Sequence, residues 1–498
     1  MLNRVPKTVL LVAFVLLWLV LGLANRRPGY FANPQNLGYL LLIEALVASI
    51  WMYRKFYFLI LILSFLLAGV NLPVGGGIWT AARWAILAIG AFVGTMIMLK
   101  SNPGNFRMFH VLALLAALTA LMSATVSPYS SLSLSKVLSF FLLLLYGATG
   151  ARLAVMGREG RFFSGLLIGC EVFVVCIGIL YFAGIEAMGN PNSLGAVMGV
   201  VAVPILLWGT LVRQSSMSYW RRILLYSLAV YLTYASHARA GMLAAFVSSV
   251  VLCLALRRYR MLGKGLVISA VIVASVAIFQ PETLSRVAES FKSDVIFKGQ
   301  NPEQGVFSSR DAPWRDTMTS INQHLWFGTG FGTSDTGQDP TDRIGTFSSS
   351  SVATEEHGSS YWAIVSWVGL AGILPFALLI GALLGRIVQS ILWMYRTADP
   401  AWGFVPLAIV TLAGLVHAGF EDWLFAPGYY LCVFFWSCAF ILLDEFQFAR
   451  SYFMNFSNPG QTFVKTTPLP ATSTDGSIAT SVTLEARMSA TPAKVSGS

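Results

Sequence analysis

The chain has 498 residues, of which 56% are hydrophobic and only 11% charged, with a mean hydropathy of +0.70 and a formal net charge of +11. Soluble domains carry about 25% charged residues, so a water-soluble fold is excluded and lipid is the solvent for most of the chain. The apolar runs are about 17–25 residues long and do not alternate in polarity, which selects spanning helices over a closed barrel. The basic residues sit in short loops between these runs, where they set orientation, so no nucleic-acid partner is inferred. The five cysteines, Cys170, Cys176, Cys253, Cys432 and Cys438, all fall in apolar runs without metal-ligand spacing and imply no disulfide framework.

The length rule predicts an all-α polytopic membrane protein of about 12–14 transmembrane helices. In chain order they fall near 8–24, 37–53, 56–72, 79–98, 108–124, 133–150, 163–183, 193–212, 223–236, 240–256, 265–279, 359–385, 403–419 and 427–444. The first run is too long for a signal-peptide core and lacks a small-residue cleavage site, and either reading leaves the later topology unchanged. Alternate loops carry Arg54 and Lys55; Lys100 and Arg107; Arg152, Arg158 and Arg161; Arg213, Arg221 and Arg222; Arg257, Arg258, Arg260 and Lys264; and Arg386 and Arg396. The opposite set is poor in Lys and Arg, apart from Arg26 and Arg27, which predicts both termini in the cytoplasm, in a cytoplasmic-type membrane.

The same parity puts residues 280–358 outside, as a large periplasmic loop between an N-terminal bundle, 1–279, and C-terminal transmembrane helices, 359–446. Within the loop, Thr283–Lys298 has apolar residues at helical spacing and is predicted to lie flat on the outer leaflet. Trp314–Trp326 is predicted as a second helix and the Gly/Ser/Thr/Asp-rich stretch 328–351 as loop. Residues 447–498 form the cytoplasmic tail, and from 457 onward their Ser, Thr, Pro and Ala content predicts disorder.

Chemistry-bearing residues gather on the outer side. Arg239, in Ser236-His237-Ala238-Arg239-Ala240-Gly241, lies where two spans meet with almost no loop. An arginine there either snorkels to the interface or serves an anion. Arg310 and Arg315 flank Asp311, Pro313 and Trp314. They either converge on one anion, which the planar guanidinium fork suits, or pair with Asp311 and Asp316. His357 is a candidate general acid or base, because an imidazole can take up or give a proton near neutral pH. Glu421 and Asp422 occupy the last outer loop, where they either position an acceptor hydroxyl or are simply solvated. Asp335, Asp339 and Asp342 fit no Ca²⁺ loop, so no metal and no cofactor is assigned. Gly328, Gly330 and Gly332 lack the strand and helix that a phosphate-cradling loop requires. Cations and a histidine at the outer face suit a substrate with its tail in the bilayer and a diphosphate at the interface.

Four segments resemble the O-antigen ligase/polysaccharide polymerase family. Gly189-Asn190-Pro191-Asn192-Ser193-Leu194 resembles its Asn-Pro-Asn start of a span, and Ser236 to Gly241 its Ser-Arg-Gly/Ala turn. Arg310 to Gly332, with Trp314, Arg315 and Trp326-Phe327-Gly328, resembles its outer-loop pattern of Arg, Trp and a closing Gly-x-Gly. His357 to Tyr361, followed by Gly369 and Gly372, resembles its His-Asn-x-Tyr motif and the helix after it. The resemblance covers roughly 185–380. It implies a metal-independent glycosyltransferase moving a polyprenyl-diphosphate-linked glycan to a sugar acceptor, either lipid A core or a growing polysaccharide. Arg239 and Arg310 would contact the diphosphate, Arg315 would assist, and His357 would orient or activate the acceptor. The competing readings are a lipid-linked glycan flippase, for which Glu44 and Glu171 are the intramembrane acids, and a non-catalytic assembly component.

Overall fold

The computed structural model of the chain describes residues 34–70, 76–101, 107–212, 216–280, 308–334 and 357–456, with a few single positions besides. All of these belong to one compact unit, Met1–Thr462. The predicted span at 8–24, the interfacial helix Thr283–Lys298, Asp335, Asp339 and Asp342, and the tail from 457 lie outside the described residues, a few single positions apart.

The described elements are helices, with no strand among them. In chain order they are α1 (Pro34–Trp51), α2 (Tyr53–Gly69), α3 (Gly76–Ser101), α4 (Met108–Val126), α5 (Ser130–Val155), α6 (Glu159–Phe182), α7 (Pro191–Leu211), α8 (Ser216–Ala235), α9 (Arg239–Ala255), α10 (Tyr259–Phe279), α11 (Ser308–Gln323), α12 (Ser360–Thr397), α13 (Phe404–Ala418) and α14 (Tyr430–Phe456). Among the described residues, seven stretches are long and apolar enough to cross a bilayer: Ala81–Lys100 within α3, α4, α5, α6, α7, α12, and Tyr430–Ser451 within α14. Leu42–Trp51 in α1, α9 and α13 are shorter apolar helices. The helices hydrogen-bond their own backbones, as hydrocarbon demands, and this is the architecture of a polytopic helical membrane protein.

Two packing devices set the frame. At the Lys/Arg-rich end, Arg152 of α5 grips Asp444 of α14 through Nε–Oδ2 at 2.5 Å and Nη2–Oδ1 at 3.1 Å. The Arg152 Nη1 lies 3.2 Å from His110 Nε2 on α4, and Arg107 donates to the Leu443 carbonyl at 3.0 Å. The Arg152 side chain is only 4% exposed. Asp444→Asn is therefore expected to lower stability by about 2 kcal/mol, below the ~3–5 kcal/mol of a fully buried pair because the carboxylate is partly solvated. Thermal unfolding in detergent checks this; an unshifted midpoint contradicts it.

At the other end of α4 the bundle is wired to the 325–334 loop. Helix α12 breaks at Gly369, whose φ of 64° and ψ of −175° suit only glycine. The break frees backbone groups that hydrocarbon would leave unsatisfied. The loop partners four of them: Thr329 N donates to Ser366 O at 3.0 Å, Gly330 N to Trp367 O at 3.2 Å, Leu370 N to Leu325 O at 2.8 Å and Ala371 N to Trp326 O at 3.0 Å. Phe331 is fully buried among Phe140, Trp367 and Phe376, with ring centroids 5.2, 5.5 and 6.4 Å away. Ser127 and Ser133, at the junction of α4 and α5, bond Thr333 Oγ1 and Phe331 O, each at 3.0 Å. The glycines of the Gly-x-Gly segment thus seat the loop on a broken helix. This loop is an anchored plug, and α11, which leads into it, starts six residues before the predicted Trp314.

Candidate active site at one end of the bundle

Arg239 is the first residue of α9, and its place follows from local chemistry. The Ser236 hydroxyl donates to Thr233 O at 2.7 Å and accepts from Ala238 N at 3.3 Å, while His237 takes a left-handed φ of 52°. These interactions turn the chain between α8 and α9 within three residues. Small residues then let α7 and α9 approach backbone to backbone: a Cβ on Gly199 would sit 2.2 Å from Gly241 O. The Asn-Pro-Asn segment opens α7 beside them. Asn190 Oδ1 caps the helix by accepting from Asn192 N at 2.8 Å, with Pro191 in the first turn.

Arg310 reaches the site from α11. Its Nη2 lies 2.5 Å from Glu421 Oε1, both side chains largely buried. The partner is therefore 111 residues away, rather than Asp311 or Asp316. Arg239 stands close enough to Arg310 to feel its charge. Arg315 does not join them. A spacing of five places it about 140° around the helix from Arg310, and it is exposed.

His357 is 1% exposed, edge-on to Trp367 with ring centroids 5.5 Å apart. Gly358 follows with φ +66°, so close to α11 that a Cβ would meet Trp314 Nε1 at 3.1 Å and Arg310 Cδ at 3.3 Å. Helix α12 then starts, capped by Ser359 Oγ accepting from Tyr361 N. Ser360 N and Oγ donate to Glu421 O at 3.0 and 2.6 Å, and Leu424 N donates to Ser360 Oγ at 3.0 Å. These bonds lock the Glu421–Asp422 loop beside His357.

Asp422 Oδ2 accepts from His357 N at 3.1 Å and lies 3.8 Å from His357 Nδ1. Neither imidazole nitrogen has a hydrogen-bond partner among the described residues, a costly arrangement that usually has a functional explanation. Burial alone would raise the Asp422 carboxyl, but the ring and backbone N–H of His357 hold it below its ordinary value. A depressed carboxyl stabilises the fold at pH above its unfolded pKa of about 3.9, and that stabilisation is lost as pH falls through the lower folded value. Asp422→Asn is expected to flatten this acid limb below about pH 4 in unfolding measured against pH. An acid limb identical to that of the unaltered protein would contradict the link.

Between the Asn-Pro-Asn segment and this last loop lies a cavity of about 300 Å³ bordered by Asn190, His417, Glu421, Asp422, Trp423 and Tyr429. Glu421 and Asp422 border this cavity and also contact Arg310 and His357, neither of which lines it. His417 had not stood out in the sequence. It ends an apolar span, four residues before Glu421, and that position at a helix mouth is the signal it offered.

The two intramembrane acids make no pathway among the described residues. Glu171 of α6 pairs with Arg222 Nε at 2.6 Å and Arg221 Nη2 at 2.9 Å, and Glu44 is exposed on α1.

The helical bundle thus brings two arginines, a buried histidine and two carboxylates to one end. Residues 223–377, about a third of the chain, match the family model described as O-antigen ligase. Over this stretch the chain is similar to the O-antigen ligase family. Arg239, Arg310, Arg315 and His357 all fall inside the match, whereas Asn190, His417, Glu421 and Asp422 lie outside it. No curated protein matches the chain.

Proposed function

We propose that the protein is a metal-independent glycosyltransferase of the bacterial inner membrane. It transfers a glycan from a polyprenyl diphosphate to a sugar hydroxyl at the periplasmic face, with both termini cytoplasmic. The observation that carries this reading is the pairing of Arg310 with Glu421 next to Asp422 and the buried His357 imidazole, whose nitrogens have no hydrogen-bond partner among the described residues. It couples an anion-binding group to a proton acceptor within one locked loop.

The acceptor oxygen attacks the anomeric carbon of the glycan as the bond from that carbon to the diphosphate oxygen breaks. Arg239 and Arg310 hold the departing diphosphate and offset the charge growing on it. The positive end of α9, at whose first residue Arg239 stands, adds to this. The hydroxyl proton passes to His357. Asp422 orients the ring by facing Nδ1, leaving the Nε2 lone pair for the proton, in the manner of a carboxylate–imidazole pair. Arg315, exposed on α11, is available to the diphosphate only from the solvent side.

The acceptor class is read by incubating purified protein with a polyprenyl-diphosphate oligosaccharide, with and without added lipid A core. A ladder of repeat lengths without core identifies a polymerase, and a single addition to core identifies a ligase. Movement of the intact lipid across a bilayer without glycan transfer would replace this reading by a flippase.

A further inference from the structure

We propose that the cavity between the start of α7 and the 419–429 loop is a subsite for one neutral sugar ring of the acceptor, and that His417 serves it as a fixed hydrogen-bond donor. This deepens the glycosyltransferase reading and rests on it.

Charge decides which half of the reaction the cavity can hold. Glu421 and Asp422 border it, and carboxylates repel a diphosphate. Arg310 and His357 meet the same two carboxylates without bordering the cavity. The lining carries two carboxylates and no Lys or Arg, and a neutral polyol fits it better than a diphosphate.

The lining suits such a ring. Trp423 and Tyr429 bring aromatic surface, with ring centroids 6.5 Å apart. Asn190, His417 and the carboxylates bring donors and acceptors for hydroxyls. The volume of about 300 Å³ lies at the lower end of the ~300–1,000 Å³ typical of small-molecule sites.

His417 and Trp423 fix the polarity of one contact. An indole N–H can only donate, and Trp423 Nε1 lies 2.7 Å from His417 Nδ1, with both residues buried. Nδ1 must therefore keep its lone pair, and the neutral ring carries its proton on Nε2. His417 can then offer Nε2–H to a sugar oxygen and cannot take a proton there. It is a positioning residue, distinct in role from His357.

The test uses the full chain in detergent with no donor lipid. Saturation-transfer NMR reads binding of neutral methyl glycosides of glucose, galactose, mannose and N-acetylglucosamine, with glucose 6-phosphate as the anionic comparator. At least one neutral glycoside is expected to bind saturably and better than the phosphate. His417→Leu is expected to weaken it about tenfold. His417→Gln should restore most of the binding, because its amide supplies both an acceptor for Trp423 and a donor for the cavity. If the leucine variant does not fold, Ala426→Leu, which fills the same cavity from the loop, must weaken binding instead. Absence of any neutral binder, preference for the phosphate, or wild-type affinity in the leucine variant and in Ala426→Leu overturns the proposal. Glycoside binding without transfer would contradict the glycosyltransferase reading alone, and transfer without glycoside binding would contradict this one alone.

Discussion

Arg310→Ala is expected to lower glycan transfer by about 10²–10³-fold, the loss seen when one preorganised donor to a developing oxyanion is removed. The side chain sits 2.5 Å from Glu421 and is 11% exposed, so its guanidinium is held in place before substrate arrives. A preorganised charge in a site shielded from water stabilises a leaving diphosphate far more than a mobile surface charge does. Arg310→Lys separates charge from geometry. Lysine can still neutralise Glu421 but lacks the planar fork, so transfer is expected to stay well below wild type while the thermal midpoint is retained. Full activity in both variants would remove Arg310 from the mechanism.

Gly369→Ala is expected to cost about 3 kcal/mol or more and to abolish transfer without touching a reacting group. The backbone conformation at this position costs a non-glycine residue about 1–3 kcal/mol. A Cβ would also stand 2.4 Å from Trp326 C and O, backbone atoms that cannot rotate away. Relief requires the 325–330 loop to lift from the break in α12, exposing the carbonyls of Ser366 and Trp367. The same movement withdraws α11, and with it Arg310. Thermal unfolding and the transfer assay read both halves of this expectation. A variant with wild-type midpoint and activity would show that the seating of the loop is dispensable.

The spans were legible because hydrocarbon imposes a length and a composition that a sequence cannot hide. The predicted segments from 37–53 onward each fall on a helix, although α12 runs on to Thr397 where 385 was expected. That overrun reflects the long side chains of Arg386 and Arg396, which let a helix leave the bilayer without stopping. Arg239 stands out in the sequence because its residue type is out of place between two spans. A pairing between distant residues leaves no such mark. Arg310 was weighed against its neighbours Asp311 and Asp316, because sequence proximity is all that a sequence offers, yet its partner is Glu421. Gly328, Gly330 and Gly332 lack the strand and helix of a phosphate-cradling loop, and their part in the fold shows only beside the broken helix on which the loop is seated. His417 offers only its place at a helix mouth, because what distinguishes it is the donor-only indole that meets its Nδ1.

The most direct test of the account is release of free polyprenyl diphosphate by the purified protein, given a polyprenyl-diphosphate oligosaccharide and a sugar acceptor in the presence of a metal chelator. The account predicts release matched one for one by glycan on the acceptor, and loss of both in Arg239→Ala with its fold intact. Equal release and transfer by Arg239→Ala, or no release by the unaltered protein, would contradict it.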